Sequence, residues 1–203
     1  MSLVDILQSQ LGSEGVERIG RQIGLDPATA QQAVAGAIPI LTGALARNAS
    51  QPGGADALHQ ALDAHDGSIL DQLGGLLGNS GGGSLGGGIG GAILGHILGR
   101  KQDTAAGSLA NATGISGSQA AQLLAMLAPL VMGALGRMKR QQGIDPSSLP
   151  GVLQDEHAQA QAAAPSGLGG LASMLDMDGD GNPMDDIARI GGGLLGGLFG
   201  DKK

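Results

Sequence analysis

Residues 23–47, IGLDPATAQQAVAGAIPILTGALAR, align without a gap on residues 113–137, TGISGSQAAQLLAMLAPLVMGALGR. Identical pairs include Gly24/Gly114, Ala30/Ala120, Gln32/Gln122, Ala35/Ala125 and Pro39/Pro129, then Gly43/Gly133, Ala44/Ala134, Leu45/Leu135 and Arg47/Arg137. The physics matches as well. Asp26 and Ser116 stand just before an Ala/Leu-rich run, where a short polar side chain can accept from the first free backbone N–H groups of a helix. Pro27 suits the first helical position. Pro39 and Pro129 fall inside the runs, where each removes one backbone hydrogen bond and predicts a kink. Ala35, Pro39 and Gly43, and likewise Ala125, Pro129 and Gly133, recur every four residues and form a small-residue stripe that lets another helix come close. A ligand groove at the two prolines has no support in the sequence.

Working outward, a second correspondence follows in each half. LDAHDGSILDQL (62–73) resembles LDMDGDGNPMDDI (175–187) when Asp66-Gly67 is laid on Asp180-Gly181. A glycine-rich apolar stretch comes next in both, from Gly74 and from Gly191. The order helix, Asp-Gly loop, glycine ladder therefore occurs twice. The expected fold is all-α, a helical bundle built from two duplicated helical modules, residues 1–100 and 101–203. The seam is placed at RKQDTAAGS, near 100–108. Residues 150–167, PGVLQDEHAQAQAAAPSG, read as a linker with room for a short Ala/Gln helix.

One loop has the composition of a metal site. Asp176, Asp178 and Asp180 alternate and Gly181 follows, which is the opening half of an EF-hand loop: three carboxylates converge on a hard cation and the glycine makes the sharp turn. Asn182 would offer its backbone carbonyl. The second half departs from the pattern, with Pro183 at position 8 and Ile187 where the bidentate Glu belongs, so Asp186 is left to close a shortened loop. The expected ion is Ca²⁺, bound weakly, at about 10⁻⁵–10⁻³ M. The competing reading is a solvated acidic turn. In the first half Asp63, His65, Asp66 and Asp71 lack the alternating triplet and read as a degenerate copy. His59 and His65 leave weak transition-metal binding open there.

Gly83, Gly87, Gly91, Gly95 and Gly99 are spaced four apart, as are Gly192, Gly196 and Gly200. On a helix such glycines line one face, with Ile89, Ile93, Leu94, Ile97 and Leu98 on the flanks of the first ladder. The face suits a buried hairpin within the chain, contact with a second copy in a homo-oligomer, or insertion at a membrane interface. The membrane role wants a basic polar face, and only Arg100 and Lys101 are near. Residues 78–88 read as a flexible lead into the ladder.

Composition narrows the function classes. The chain has 203 residues, 41% hydrophobic, with 40 glycines, no Cys, Trp or Tyr and one Phe, Phe199. A core must come from Leu, Ile, Val, Met and Ala. A net charge of −7 with scattered basic residues and no aromatic platform argues against nucleic acid. No thiol chemistry or thiolate metal site is open to it. The N-terminal MSLVDILQSQLG reads as an amphipathic helix rather than a signal peptide. Apolar runs fall short of the ~18–20 residues that span a bilayer, so a cytoplasmic protein is expected. The G-x-S-x-G matches at Gly78–Gly82 and Gly82–Gly86, and the G-x-G-x-x-G match from Gly81, lack the strand that a nucleophile elbow or a phosphate loop needs. His59, His65, His96 and His157 have no Ser or Cys constellation. His96 reads as packed or interfacial, and Arg137, Lys139 and Arg140 as helix-end cations. No catalytic residue, small-molecule substrate or bound organic cofactor can be named, which predicts a non-enzymatic protein.

The stretches DPATAQQAVAGAIPILTGAL, GGAILGHILGRKQD, MLAPLVMGALGR and LDMDGDGNPMDDI together resemble a bacterial family known only as domain of unknown function 937, with a YidB-like fold. The resemblance runs from about Leu3 to Phe199. It implies an all-helical fold in a bacterial cytoplasmic setting, and no activity or catalytic residues. The expected role is an interaction or scaffold protein, self-associating and weakly calcium-binding, with a membrane-surface or envelope-associated protein as the alternative.

Overall fold

The long helices begin where a polar side chain replaces a missing backbone acceptor. The structure, a computed structural model, describes residues 2–64, 88 and 90–164. Helix α1 (Leu3–Gln22) starts on a reciprocal cap, Asp5 N–H donating to Ser2 Oγ at 3.1 Å and Ser2 N–H to Asp5 Oδ2 at 3.0 Å. Its first run ends at Gly12, whose φ of 53° breaks the helical geometry. Helix α2 (Pro27–Ser50) starts on Asp26, which accepts from the N–H groups of Ala28 and Thr29 at 3.1 Å each. After α3 (Gly54–Ala64), the description resumes with α4 (Gly90–Leu98) and a 3-10 turn, Gly99–Lys101, which leads into α5 (Gln102–Thr113). Helix α6 (Gly117–Gln142) starts on Ser116, boxed with Gln119, and stops at Gly143 with φ 65°. Helix α7 (Leu149–Ala163) follows.

The two aligned stretches adopt the same local structure. Gly24 and Gly114 both have φ 73°, a left-handed conformation that glycine tolerates at no steric cost. An extended capping residue and a long helix follow each. Both α2 and α6 continue through their prolines. The two helices pack on one another; α1 and α5 each lie against both. Helix α4 covers α6, α3 bridges α2 and α6, and α7 runs along α2 and reaches α1. Among the described residues there is no strand.

Helix α6 is the centre. Every residue from Leu123 to Gly136 is buried, which is why the run shows no polar face: a helix enclosed on all sides has none to spare. It is long and apolar enough to cross a membrane by length and composition, contrary to the expectation that no stretch would be, yet 83% of that apolar window lies inside the fold. A single apolar cluster runs from Leu3 to Ala160 and draws on every helix from α1 to α7. Its largest fully enclosed side chains are all aliphatic, Leu41, Leu45, Leu109 and Leu123 among them. Each such leucine contributes roughly 1.5–3 kcal/mol by leaving water.

The short Ala/Gln helix for which residues 150–167 left room is α7, and it is docked rather than part of a free linker: Leu149, Leu153, Glu156 and Ala160 are buried at helical spacing. Two leucines among Ala and Gln are a faint pattern, and their partner surface is distant in sequence. Across residues 100–108 the 3-10 turn passes directly into α5. In the described part of the ladder, α4 meets the core through Ile93, Leu94 and Ile97, while Gly91 and Gly95 are half-buried and Gly99 is exposed with φ 55°. Asn48 of α2 holds the end of α4, its Nδ2 donating to the carbonyls of His96 at 3.2 Å and Ile97 at 2.8 Å.

Candidate functional site

The small-residue stripe of α2 does admit another helix, and that helix is α7. The His157 ring lies directly over Gly43: a Cβ there would stand 2.7 Å from His157 Cε1 and 3.0 Å from Nδ1. Only glycine leaves room for the ring. His157 Nδ1 is 3.4 Å from Thr42 Oγ1, and the Thr42 hydroxyl donates to the Ile38 carbonyl at 3.0 Å. His157 Nε2 lies 2.9 Å from Gln161 Nε2.

Beside this ring a cleft of about 40 Å³ opens between α2, the 3-10 turn, α5 and α7. Pro39, Gly43 and Arg47 line it from α2, and Lys101, Thr104 and Ser108 from across. Among the described residues that line it there is no Asp or Glu. Sequence reasoning left the proline positions without a ligand groove. The stripe was visible, but the ring that closes it is 115 residues from Thr42 in the chain, and no local pattern marks such a pairing.

Two further polar groups are buried away from the cleft. Lys139, 8% exposed, donates from Nζ to the His59 carbonyl at 2.9 Å and to Asp63 Oδ1 at 2.6 Å. His59 Nε2 in turn donates to the Ile144 carbonyl at 3.2 Å. Lys139, in the last turn of α6, is thus also an internal clamp between α6 and α3. The hydrogen bond from Lys139 holds the Asp63 carboxyl below the usual carboxylate range. Because the Asp63 side chain is two-thirds exposed, the pair is asymmetric. Removing the carboxylate strands a buried ammonium, whereas removing the ammonium leaves a carboxylate that water can solvate. Asp63→Ala should therefore lower the melting temperature more than Lys139→Met, and the opposite order in thermal unfolding would refute the asymmetry.

Glu156, 6% exposed, accepts the Leu3 N–H on Oε2 at 2.6 Å and so ties α7 to the first turn of α1. Burial pushes its carboxyl above the ordinary range, against the lowering effect of that hydrogen bond. A carboxyl whose folded pKa is raised holds its proton longer in the fold than in the unfolded chain. Its contribution to stability therefore falls as pH rises from the ordinary Glu pKa of about 4.3 through the raised value. Glu156→Gln keeps an acceptor for Leu3 and has no proton to lose. The variant's melting temperature should gain on wild type as pH rises above about 4.3, and a difference that stays constant as pH rises would contradict the burial effect.

The sequence-predicted metal ligands Asp176, Asp178, Asp180, Asn182 and Asp186 lie outside the described residues, as do His65, Asp66, Asp71, Gly83, Gly87, the C-terminal ladder and the G-x-S-x-G matches. Of the first-half loop, Asp63 is engaged by Lys139 and His59 by Ile144, so both are committed to packing. Among the described residues no group of three His, Asp or Glu is placed to hold a metal ion. His96 is exposed on α4.

No curated protein and no solved structure matches the chain. The model of a family of bacterial proteins of unknown function, DUF937, matches residues 5–138. That stretch carries nearly all of α1, the helices α2 to α5, the core helix α6 almost to its end, and the α2 wall of the cleft, and it stops before α7. With most of its length matched in this way, the chain belongs to the DUF937 family of bacterial proteins.

Proposed function

We propose that this protein is a non-enzymatic helical interaction protein that associates with copies of itself and binds calcium weakly through its C-terminal Asp loop. The observation that carries the first part is the division of α4. Its aliphatic side, Ile93, Leu94 and Ile97, is spent on the core, while Gly91 and Gly95 face outward half-buried beside the exposed Ala92 and His96. A Cβ on Gly95 would meet only the tip of Gln102, at 3.3 Å. A helix face of this kind lets a second backbone approach closely and gain van der Waals contact. In a symmetric homodimer the same face would serve both partners.

Sedimentation equilibrium tests this reading. Wild type should sediment above the monomer mass, and Gly91→Leu with Gly95→Leu should return it to monomer without loss of helicity. A monomeric wild type at all concentrations sinks the proposal. For the loop, Asp176, Asp178, Asp180 and Asp186 would supply carboxylates and Asn182 a carbonyl, a hard-oxygen set suited to Ca²⁺. Calorimetric titration should give one saturable site at about 10⁻⁵–10⁻³ M, lost in Asp178→Ala with Asp180→Ala. Equal binding by that double variant would return the loop to an acidic turn.

A further inference from the structure

Helix α1 is two helical runs joined at one residue. Gly12 stands at φ 53° and ψ −175°, a region that glycine alone enters without strain. It is exposed, and nothing lies within 4 Å of where its Cβ would be. Glycine is therefore required there by the backbone conformation and not by a close neighbour. The run after Gly12 is pinned: Gly20 lies against Ala30, the Leu25 N–H donates to the Gly20 carbonyl at 2.8 Å, and Gln119 Nε2 donates to the Ile23 carbonyl at 3.1 Å. The run before it is held by its inner face. Leu3, Ile6, Leu7 and Leu11 are at most 6% exposed and belong to the shared apolar cluster. Its first turn is tied to α7 through the Leu3 N–H on the buried Glu156. Asp5, Gln8 and Ser9 face water.

We propose that residues 3–11 form an arm, hinged at Gly12, that two copies of this chain exchange, each seating its arm in the groove of the other. The groove's occupant follows from the fold itself: the groove already encloses Leu3, Ile6, Leu7 and Leu11 and offers Glu156 to the Leu3 N–H. The arm of a second copy is identical and re-forms those contacts, so closed and exchanged forms differ mainly at the hinge. Closed, Gly12 turns the chain back. Exchanged, it takes helical φ and ψ and α1 runs straight. In the wild type the closed form prevails, because a chain's own arm is held beside its groove at high effective concentration. Glycine also favours the helix less than any residue but proline. The arm does not use the α4 face, so this proposal stands or falls separately from self-association through α4.

The hinge residue supplies the test. Gly12→Ala is placed in the full chain together with Gly91→Leu and Gly95→Leu, which remove the α4 contact, and is compared with its Gly12 parent. Alanine is strained at the closed hinge and favours the helix. Since a dimer has two hinges, Gly12→Ala should strengthen dimer formation by at least about a hundredfold. Sedimentation equilibrium reads that change, with helicity by circular dichroism unchanged. The parent's own mass reports on α4 alone. Inserting Gly-Gly-Ser after residue 12 of the alanine variant should return it to the parent's mass, since a longer hinge lets each arm fold back. A folded Gly12→Ala chain that associates no more than its parent overturns the proposal, as does a dimer that survives the insertion. If Gly12→Ala does not fold, hydrogen exchange in the wild type decides. The amides of residues 6–11 should exchange together and ahead of those in α6. Equal protection of the two would mean that no arm opens, and would overturn the proposal as well.

Discussion

Gly20→Val is expected to be among the most damaging single substitutions in this protein. A Cβ at residue 20 would stand 2.6 Å from the Ala30 Cβ and 3.4 Å from the Leu25 carbonyl oxygen. Real carbon contacts begin near 3.5 Å, so α1 and α2 would have to separate by about 1 Å at their closest approach. The cap cannot yield freely, because the Leu25 N–H donates to the Gly20 carbonyl at 2.8 Å and holds the turn between the two helices. Neither atom at the clash is the end of a flexible chain. Overpacking of this kind costs about 3 kcal/mol, with a fall in melting temperature of roughly 6–12 °C for a chain this long. The contrast is Gly107→Ala in α5, where an added Cβ meets nothing within 4 Å and φ is ordinary. That change should stabilise by about 0.4–1 kcal/mol through the unfolded chain. Thermal unfolding of both variants reads the difference, and a Gly20→Val protein as stable as wild type would mean that the helices do not meet as described.

Leu153→Ala should destabilise by about 2–5 kcal/mol, although residue 153 lies beyond the family-matched stretch. Leu153 and Leu149 are both 0% exposed and fix α7 to the cluster. The remaining buried positions of α7 are Glu156 and Ala160, which add little apolar area. Removing Leu153 thus takes away one of the two fully enclosed leucines that fix the helix. The loss should be local first. Hydrogen exchange in 149–163 should quicken before exchange in α6, and the His157 ring should leave Gly43, opening the cleft. Uniform loss of protection across all helices would instead make α7 inseparable from the core, and a change below about 0.5 kcal/mol would make it a passive appendage.

Much of the local structure was legible in the sequence. Asp26 and Ser116 ahead of Ala/Leu-rich runs and Pro27 at the first helical position are short-range chemistry. Each is settled within about four residues, the reach of a capping hydrogen bond or a glycine turn. The aliphatic content of the core followed from composition, since nothing larger was on offer. The stripe Ala35, Pro39, Gly43 announced that some helix would approach α2 closely. It carried no information on which one.

What a residue at one end of the chain meets at the other was settled only by packing. The same alphabet of Ala, Gln and Leu makes a solvated linker or a docked helix, and 149–163 is docked because α2 presents Gly43 and the cluster presents space for Leu149 and Leu153. Lys139 reads as an ordinary helix-end cation until α3 brings the His59 carbonyl and Asp63 to its ammonium. Glu156 reads as a surface acid until the first turn of α1 arrives with the Leu3 N–H. Burial shifts a carboxyl, pairs an ammonium or encloses a cleft only once surfaces far apart in sequence have met. The local signals therefore determined where helices start and stop in this protein, and the tertiary structure decided which of their side chains have chemistry to do, because desolvation and contact are properties of the assembled surfaces.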